Sequence, residues 1–188
     1  MIEGVDRVLR RIREQGLVDN LGARDLLNPE GCGIDFRLQA AYRIVGGGAF
    51  IDADGGADQG WRKGVATEQV MSFVEGAAEQ GYLTIKLGDY YLLQTIEAVN
   101  MPADLMAQVY PRSSLYRSGL LLLASKADPG YRGPFILGLT NVGPVEVKLQ
   151  MGARICNVVF VQVTGMTAAY RGQHQGGRVT PEAIERQV

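Results

Sequence analysis

Residues 111–119 read Pro111-Arg112-Ser113-Ser114-Leu115-Tyr116-Arg117-Ser118-Gly119, a stretch with the donors to hold an anion. A strand-like run over 105–110 precedes Pro111, so Ser113-Ser114 open a single expected helical turn. Hydroxyls at such a start satisfy orphan N–H groups, and that end attracts anions through its exposed donors and its dipole. Arg112 and Arg117 bracket the turn, each with a rigid fork of donors matched to phosphate oxygens. The ligand implied is phosphate-bearing. An ordinary strand–turn–helix with two solvated arginines and a capping serine would carry the same letters.

The whole chain narrows the classes. At 188 residues it is one domain by size, large enough to bury a core, and its 46% hydrophobic and 21% charged residues are globular proportions. Net charge is −1, so no basic footprint points to nucleic acid or an anionic membrane, while a local cationic pocket stays compatible. No apolar run is long enough to span a bilayer and the first residues are charged, so a soluble cytoplasmic protein is the expectation. Cys32 and Cys156 are expected as reduced, buried thiols. With one histidine, His174, and no paired cysteines at ligand spacing, a protein-made zinc site and a Ser-His-Asp triad are both disfavoured.

These residues need a scaffold to position them. Val5, Val8, Leu9 and Ile12 form a stripe at helical spacing, stopped by Gly16. Ile34, Phe36 and Leu38 alternate as in a strand, and 82–87, 90–99, 145–149 and 155–163 read likewise. Residues 46–64 are rich in glycine and aspartate and read as an exposed hairpin or insertion loop with little core of its own. Many short strands between Gly/Pro turns, with one real helix, describe a β-sandwich or jelly-roll-like barrel. A domain over 1–165 and a tail over 166–188 are expected. The tail is polar and Gly-rich, mobile when empty, and able to order over a ligand with Arg178 offered to phosphates.

Three blocks then carry a resemblance. Gly33-Ile34-Asp35-Phe36-Arg37-Leu38, the Pro111–Gly119 stretch, and Asp128-Pro129-Gly130-Tyr131-Arg132-Gly133 running on to Asn141 resemble the motifs of the dCTP deaminase / trimeric dUTPase superfamily. Residues 92–102, 152–160 and the Tyr170-x-x-Gln173 tail extend the likeness over most of 20–180. The resemblance implies a mainly β, distorted jelly-roll (dUTPase-like β-clip) subunit with an N-terminal helix. It implies a homotrimer with sites at the subunit boundaries. Arg112, Ser113 and Ser114 would contact the phosphates, with Ser113 and Arg117 among the catalytic groups. Tyr170 and Gln173 would close over a deoxyuridine or deoxycytidine triphosphate. Mg²⁺ would ride on the triphosphate oxygens with mostly water ligands, with no metal ligand from the protein.

Within that superfamily the chemistry turns on carboxylates. The deaminase branch uses a Glu at the position that is Gly138 here, and a tail lysine where this chain has Ala169. Loss of a general acid/base is worth about 10²–10⁴-fold. The dUTPase branch uses the aspartate that is Asp128 here, with Tyr131 stacking under the sugar. The leading expectation is therefore a Mg²⁺-dependent dUTP diphosphatase releasing dUMP and pyrophosphate. The alternative is dCTP deamination, or both reactions, with a carboxylate from elsewhere such as Glu146. A non-catalytic nucleotide-binding trimer is the third. The base pocket is expected along 121–123 and 134–138.

Overall fold

The computed structural model describes residues 1–53 and 60–187. The chain runs α1 (Val5–Gln15), β1 (Val18–Asp19), α2 (Ala23–Leu27), β2 (Gly33–Gly46), β3 (Phe50–Ile51), β4 (Trp61–Lys63), β5 (Ala66–Ser72), β6 (Tyr82–Ile85) and β7 (Tyr90–Asn100). It continues through β8 (Leu105–Pro111), α3 (Ser113–Arg117), β9 (Leu120–Leu123), β10 (Lys126–Ala127), β11 (Arg132–Asn141), β12 (Val147–Gln150), β13 (Arg154–Gln162) and β14 (Glu185–Arg186).

Alternation decides most of these elements. In β7, Tyr91, Leu93, Thr95, Glu97 and Val99 all point inward while their neighbours do not. In β2, Ile34, Phe36 and Leu38 are fully buried. That strand continues well past residue 38 because its second half finds β5 on one side and β7 on the other. Its first half pairs with β13. The register slips between Leu38 and Ala40, where the strand changes partners; an extra residue there bends it from one layer into the next.

The main sheet therefore runs β10-β8-β13-β2-β7-β11-β9, curled on itself so that β2 belongs to both layers. Phe36 from one layer stacks on Phe135 from the other at 5.4 Å, and Leu93, Leu137, Leu139, Ile155 and Phe160 fill the space around them. Each such side chain contributes about 1.5–3 kcal/mol by leaving water. The result is the mainly β, distorted jelly-roll sandwich expected from the strand pattern, with α1 packed on it through Val8, flanked by Val5 and Ile12.

Three features differ from expectation. The 46–64 stretch takes the hairpin form, with β3 paired to β4, but it does not stand alone: β14 from the tail adds to β4, making a second three-stranded sheet. Residues 54–59 of the insertion lie outside the described residues. The tail has an anchored course along the body rather than a free one. Cys156 is buried, which pushes its thiol pKa up, but Cys32 is exposed. Among the described residues no helix is long and apolar enough to cross a membrane.

Candidate functional site

Asp128 follows β10, whose two residues pair with β8 so that Ala127 faces Ala107. The next turn brings Tyr131 back under the sheet. Its hydroxyl donates to the Pro134 carbonyl at 2.6 Å, and burial pushes the phenol up to about 12, so Tyr131 is a neutral, fixed wall. Tyr170 of the tail meets it edge-on, with ring centroids 5.4 Å apart and planes at 82°. Together with Phe135, Ile136, Leu137 and Leu92 these rings line a cavity of about 380 Å³. Asp128, Lys126, His174 and Arg178 supply its polar rim. A largely apolar space with a few convergent polar groups is the usual form of a small-molecule site.

Two glycines explain how the tail reaches this cavity. Gly130 and Gly133 both have positive φ, at +85° and +129°, which side chains rarely adopt. A Cβ on Gly130 would stand 2.9 Å from the Ala169 Cβ, and one on Gly133 would stand 2.6 Å from the Gly176 carbonyl carbon. The bare backbones let the tail lie directly on the turn. The Tyr170 N–H donates to the Pro129 carbonyl at 2.7 Å and the Gly176 N–H to the Arg132 carbonyl at 2.8 Å. Gln175 bridges both sides, accepting from the Arg132 N–H and donating to the Gly130 carbonyl.

The structure thus brings Asp128, Tyr131, Tyr170 and Arg178 to one cavity. Gln173 sits one residue from its rim, with its amide nitrogen 3.1 Å from the His174 Nε2. The carboxylate of Asp128 pairs with Lys126. His174, disfavoured as a triad member by its place near a glycine-rich tail, lines the same cavity. Burial and the charges of Arg62 and Arg178 hold its pKa below the ordinary value, against a bond to the Arg178 backbone and the pull of Glu185.

Arg112, Ser113, Ser114 and Arg117 do not line this cavity within one chain. Ala107 faces Ala127, so Arg112 lies about 17 Å further along the β8 direction at roughly 3.3 Å per residue. The serines also do not cap α3. The position before the helix is Arg112, and among the described residues no side chain caps it. Ser113, Ser114 and Arg117 are exposed.

Arg112 is engaged instead by Asp35. That buried carboxylate also accepts from Arg154 Nη1 and Asn157 Nδ2, each at 2.9 Å. The first and second sequence blocks are therefore bonded to each other, which neither block reveals alone. A neighbouring pair, Arg37 and the fully buried Glu97, meets at 2.6 Å; burial raises the Glu97 pKa despite the arginine.

Two of the expected stretches do not reach this cavity within one chain. Residues 135–137 line the cavity but 121–123 do not, because β9 lies on the far side of β11. Glu146 is exposed just before β12 and is not among the lining residues, so Asp128 is the acid of this cavity among the described residues. At Gly138 a Cβ would stand 2.6 Å from the Tyr90 hydroxyl, so that oxygen occupies the space a side chain would need.

A family model described as dCTP deaminase-like matches residues 3–163. The dCTP deaminase of Thermococcus kodakarensis is 35% identical over 101 residues, 53% of this chain and 65% of that protein. A dUMP-forming dCTP deaminase from Dictyoglomus turgidum is 42% identical over 82 residues, 43% of this chain and 42% of that protein. The chain thus spans less than two thirds of the length of these relatives. The crystal structure of 2'-deoxycytidine 5'-triphosphate deaminase from Agrobacterium tumefaciens matches with a TM-score of 0.60 at 17% identity, over 85% of this chain and 48% of that one, a likeness of fold.

Proposed function

The chain belongs to the dCTP deaminase-like family, and from that premise we propose that it processes a deoxypyrimidine nucleoside triphosphate, taking dCTP toward dUTP or dUMP. The observation that carries this reading is the shared cavity, where Asp128, Tyr131 and Tyr170 close on a space suited to a nucleoside. The names of the relatives favour deamination over the diphosphatase expected first. The second reading, hydrolysis of dUTP to dUMP and pyrophosphate, is favoured by Gly138. The carboxylate position of the deaminase branch holds no side chain here, and Tyr90 fills its place.

In either reading Tyr131 and Tyr170, packed edge to face, form one wall against the nucleoside. In the hydrolytic step Asp128 orients water and accepts its proton as the new O–P bond forms and pyrophosphate departs. The rim cations Lys126 and Arg178 offer only part of the donor set a triphosphate needs. Arg112, Ser113, Ser114 and Arg117 would supply the rest from a second copy of the chain, in a homotrimer, because one chain holds the two groups apart. Exposed Tyr90, Tyr116, Leu121 and Leu123 give such an assembly apolar surface to cover. Among the described residues no three His, Cys, Asp or Glu stand together as a metal cage. Magnesium would ride on the triphosphate, where it would neutralise charge on the phosphate oxygens.

The test is incubation with dCTP, dUTP, dTTP and UTP in the presence of Mg²⁺, with ammonia and pyrophosphate both measured. Ammonia from dCTP supports the deaminase reading, and pyrophosphate from dUTP alone supports the second. Release of neither, with nucleotide bound, would leave a binding protein.

A further inference from the structure

The insertion over 46–64 and the end of the tail meet beside the Asp128 cavity. β14 pairs with β4 in a register that sets Glu185 directly opposite Arg62 and Arg186 opposite Trp61. The Arg186 guanidinium lies over the Trp61 ring, 5.1 Å from its centroid. Further ties hold the tail to this edge: Thr180 Oγ1 donates to the Val65 carbonyl at 2.8 Å, and the Gly64 N–H donates to the Pro181 carbonyl at 2.6 Å. Arg178 on the cavity rim reaches Glu185 with Nη2 at 2.6 Å. Among the described residues Arg62, Glu185, Arg178 and His174 thus lie together, with Arg178 paired to the Glu185 carboxylate and Arg62 opposite Glu185 in the strand register.

Two side-chain atoms here, a donor in this cluster and an acceptor beside it, lack partners among the described residues. Arg62 Nε and Gln173 Oε1 are both buried and neither makes a hydrogen bond. A buried guanidinium N–H without an acceptor is rare in a folded protein, and a missing anion is one of the ordinary reasons for it. The surplus of positive charge points the same way, since like charges brought together are relieved by a bound anion.

We propose that Arg62 of the insertion, with Arg178 and His174 of the tail, forms an anion-binding corner at the mouth of the Asp128 cavity, which takes the phosphate end of a polyphosphate ligand. This rests on reading the cavity as a nucleotide site and gives the insertion a role in it. The insertion becomes the wall that seats the last strand of the tail and adds one cation that no motif in the sequence contains. Arginine suits the task because its fork can present two donors to phosphate oxygens while its stem packs in the small sheet.

His174 is the built-in reporter, as the only histidine of the chain. The charged groups around it are Arg62 from β4, Arg178 and Glu185 from the tail, and Asp128 with Lys126 across the cavity. Its free-state pKa is held down partly by the two arginines, so a polyanion seated among them should raise it.

The experiment is an NMR titration of the His174 ring in the full-length protein, with and without inorganic tripolyphosphate, so no turnover is involved. In wild type the ligand should raise the His174 pKa. In Arg62→Gln the free-state pKa should already be higher, and tripolyphosphate should bind roughly tenfold more weakly, the loss of one charged hydrogen-bond donor. Arg62→Lys, which keeps the charge, should recover part of that affinity and guards against a folding defect. Lys148→Gln, on the exposed face of β12, should behave as wild type. Unchanged affinity in Arg62→Gln, or a His174 resonance indifferent to tripolyphosphate, overturns the proposal even if the protein turns over nucleotides. Tripolyphosphate binding that depends on Arg62 without turnover keeps the corner and sinks the catalytic reading instead.

Discussion

Asp128→Asn separates catalysis from architecture because the two are unequally invested in this side chain. The substitution keeps the shape and removes the charge. What it breaks structurally is the pair with Lys126, whose side chain is 54% exposed against 39% for Asp128. An ion pair that open to water is worth about 0–1 kcal/mol, so the urea midpoint should move by no more than that allows. What it breaks chemically is the one carboxylate lining the cavity among the described residues. Loss of a general base lowers turnover by about 10²–10⁴-fold, equivalent to about 3–5 kcal/mol of transition-state stabilisation. Pyrophosphate release should therefore fall by that factor while calorimetric binding of a non-hydrolysable dUTP or dCTP analogue stays within a few-fold of wild type. The assay is a coupled phosphate readout with added pyrophosphatase, beside ammonia release from dCTP in the same samples. Pyrophosphate release at the wild-type rate in Asp128→Asn would refute the role given to this residue.

Three further outcomes follow from the geometry. Gly133→Ala adds a Cβ at positive φ against Gly176, which costs about 1–3 kcal/mol and should lift the tail, seen as faster hydrogen exchange over 170–178. Exchange as slow as in wild type would show that the tail is held by other means. Arg37→Ala leaves the fully buried Glu97 carboxylate without its charged partner, keeping only the backbone N–H of residue 37, and should destabilise the fold by about 3–5 kcal/mol near neutral pH. The Glu97 pKa is raised in the folded state, so its contribution is fully present below the unfolded value of 4.5 and is lost as pH rises through the folded one. The variant should thus recover stability as the pH is lowered toward that value, and a deficit that does not shrink counts against this assignment. Gly138→Ala should destabilise by about 1–3 kcal/mol through the Tyr90 hydroxyl, and Tyr90→Phe should restore most of it in a double-mutant cycle; additive effects would show that the two do not touch.

Much of the architecture could be read from the chain because it rests on short-range pattern. Ile34, Phe36 and Leu38 declare a strand by alternation, and Val5 to Ile12 declare a helix, with no knowledge of the partners. The turn Asp128-Pro129-Gly130-Tyr131 could be read for the same reason. The further reach of β2, the clasp of Arg112 by Asp35 and the seat of β14 on β4 could not. Each depends on residues far apart in the chain meeting at a particular register, and no local period encodes that. His174 was passed over because a histidine in a glycine-rich tail looks like a loose end until Arg62 is found beside it. Gly138 shows the reverse case, since an absent side chain was noticed from the motif but its occupant, Tyr90, was not.

The pairing of β14 with β4 ties together the fates of two stretches that look dispensable when viewed singly. Without the insertion, the final strand would have no edge to join; without the final strand, β4 would present unpaired amides that invite another chain. Descendants of this sequence are under pressure to keep both or to discard both. Their lengths should rise and fall as one inherited trait rather than drift apart like two unrelated surface loops.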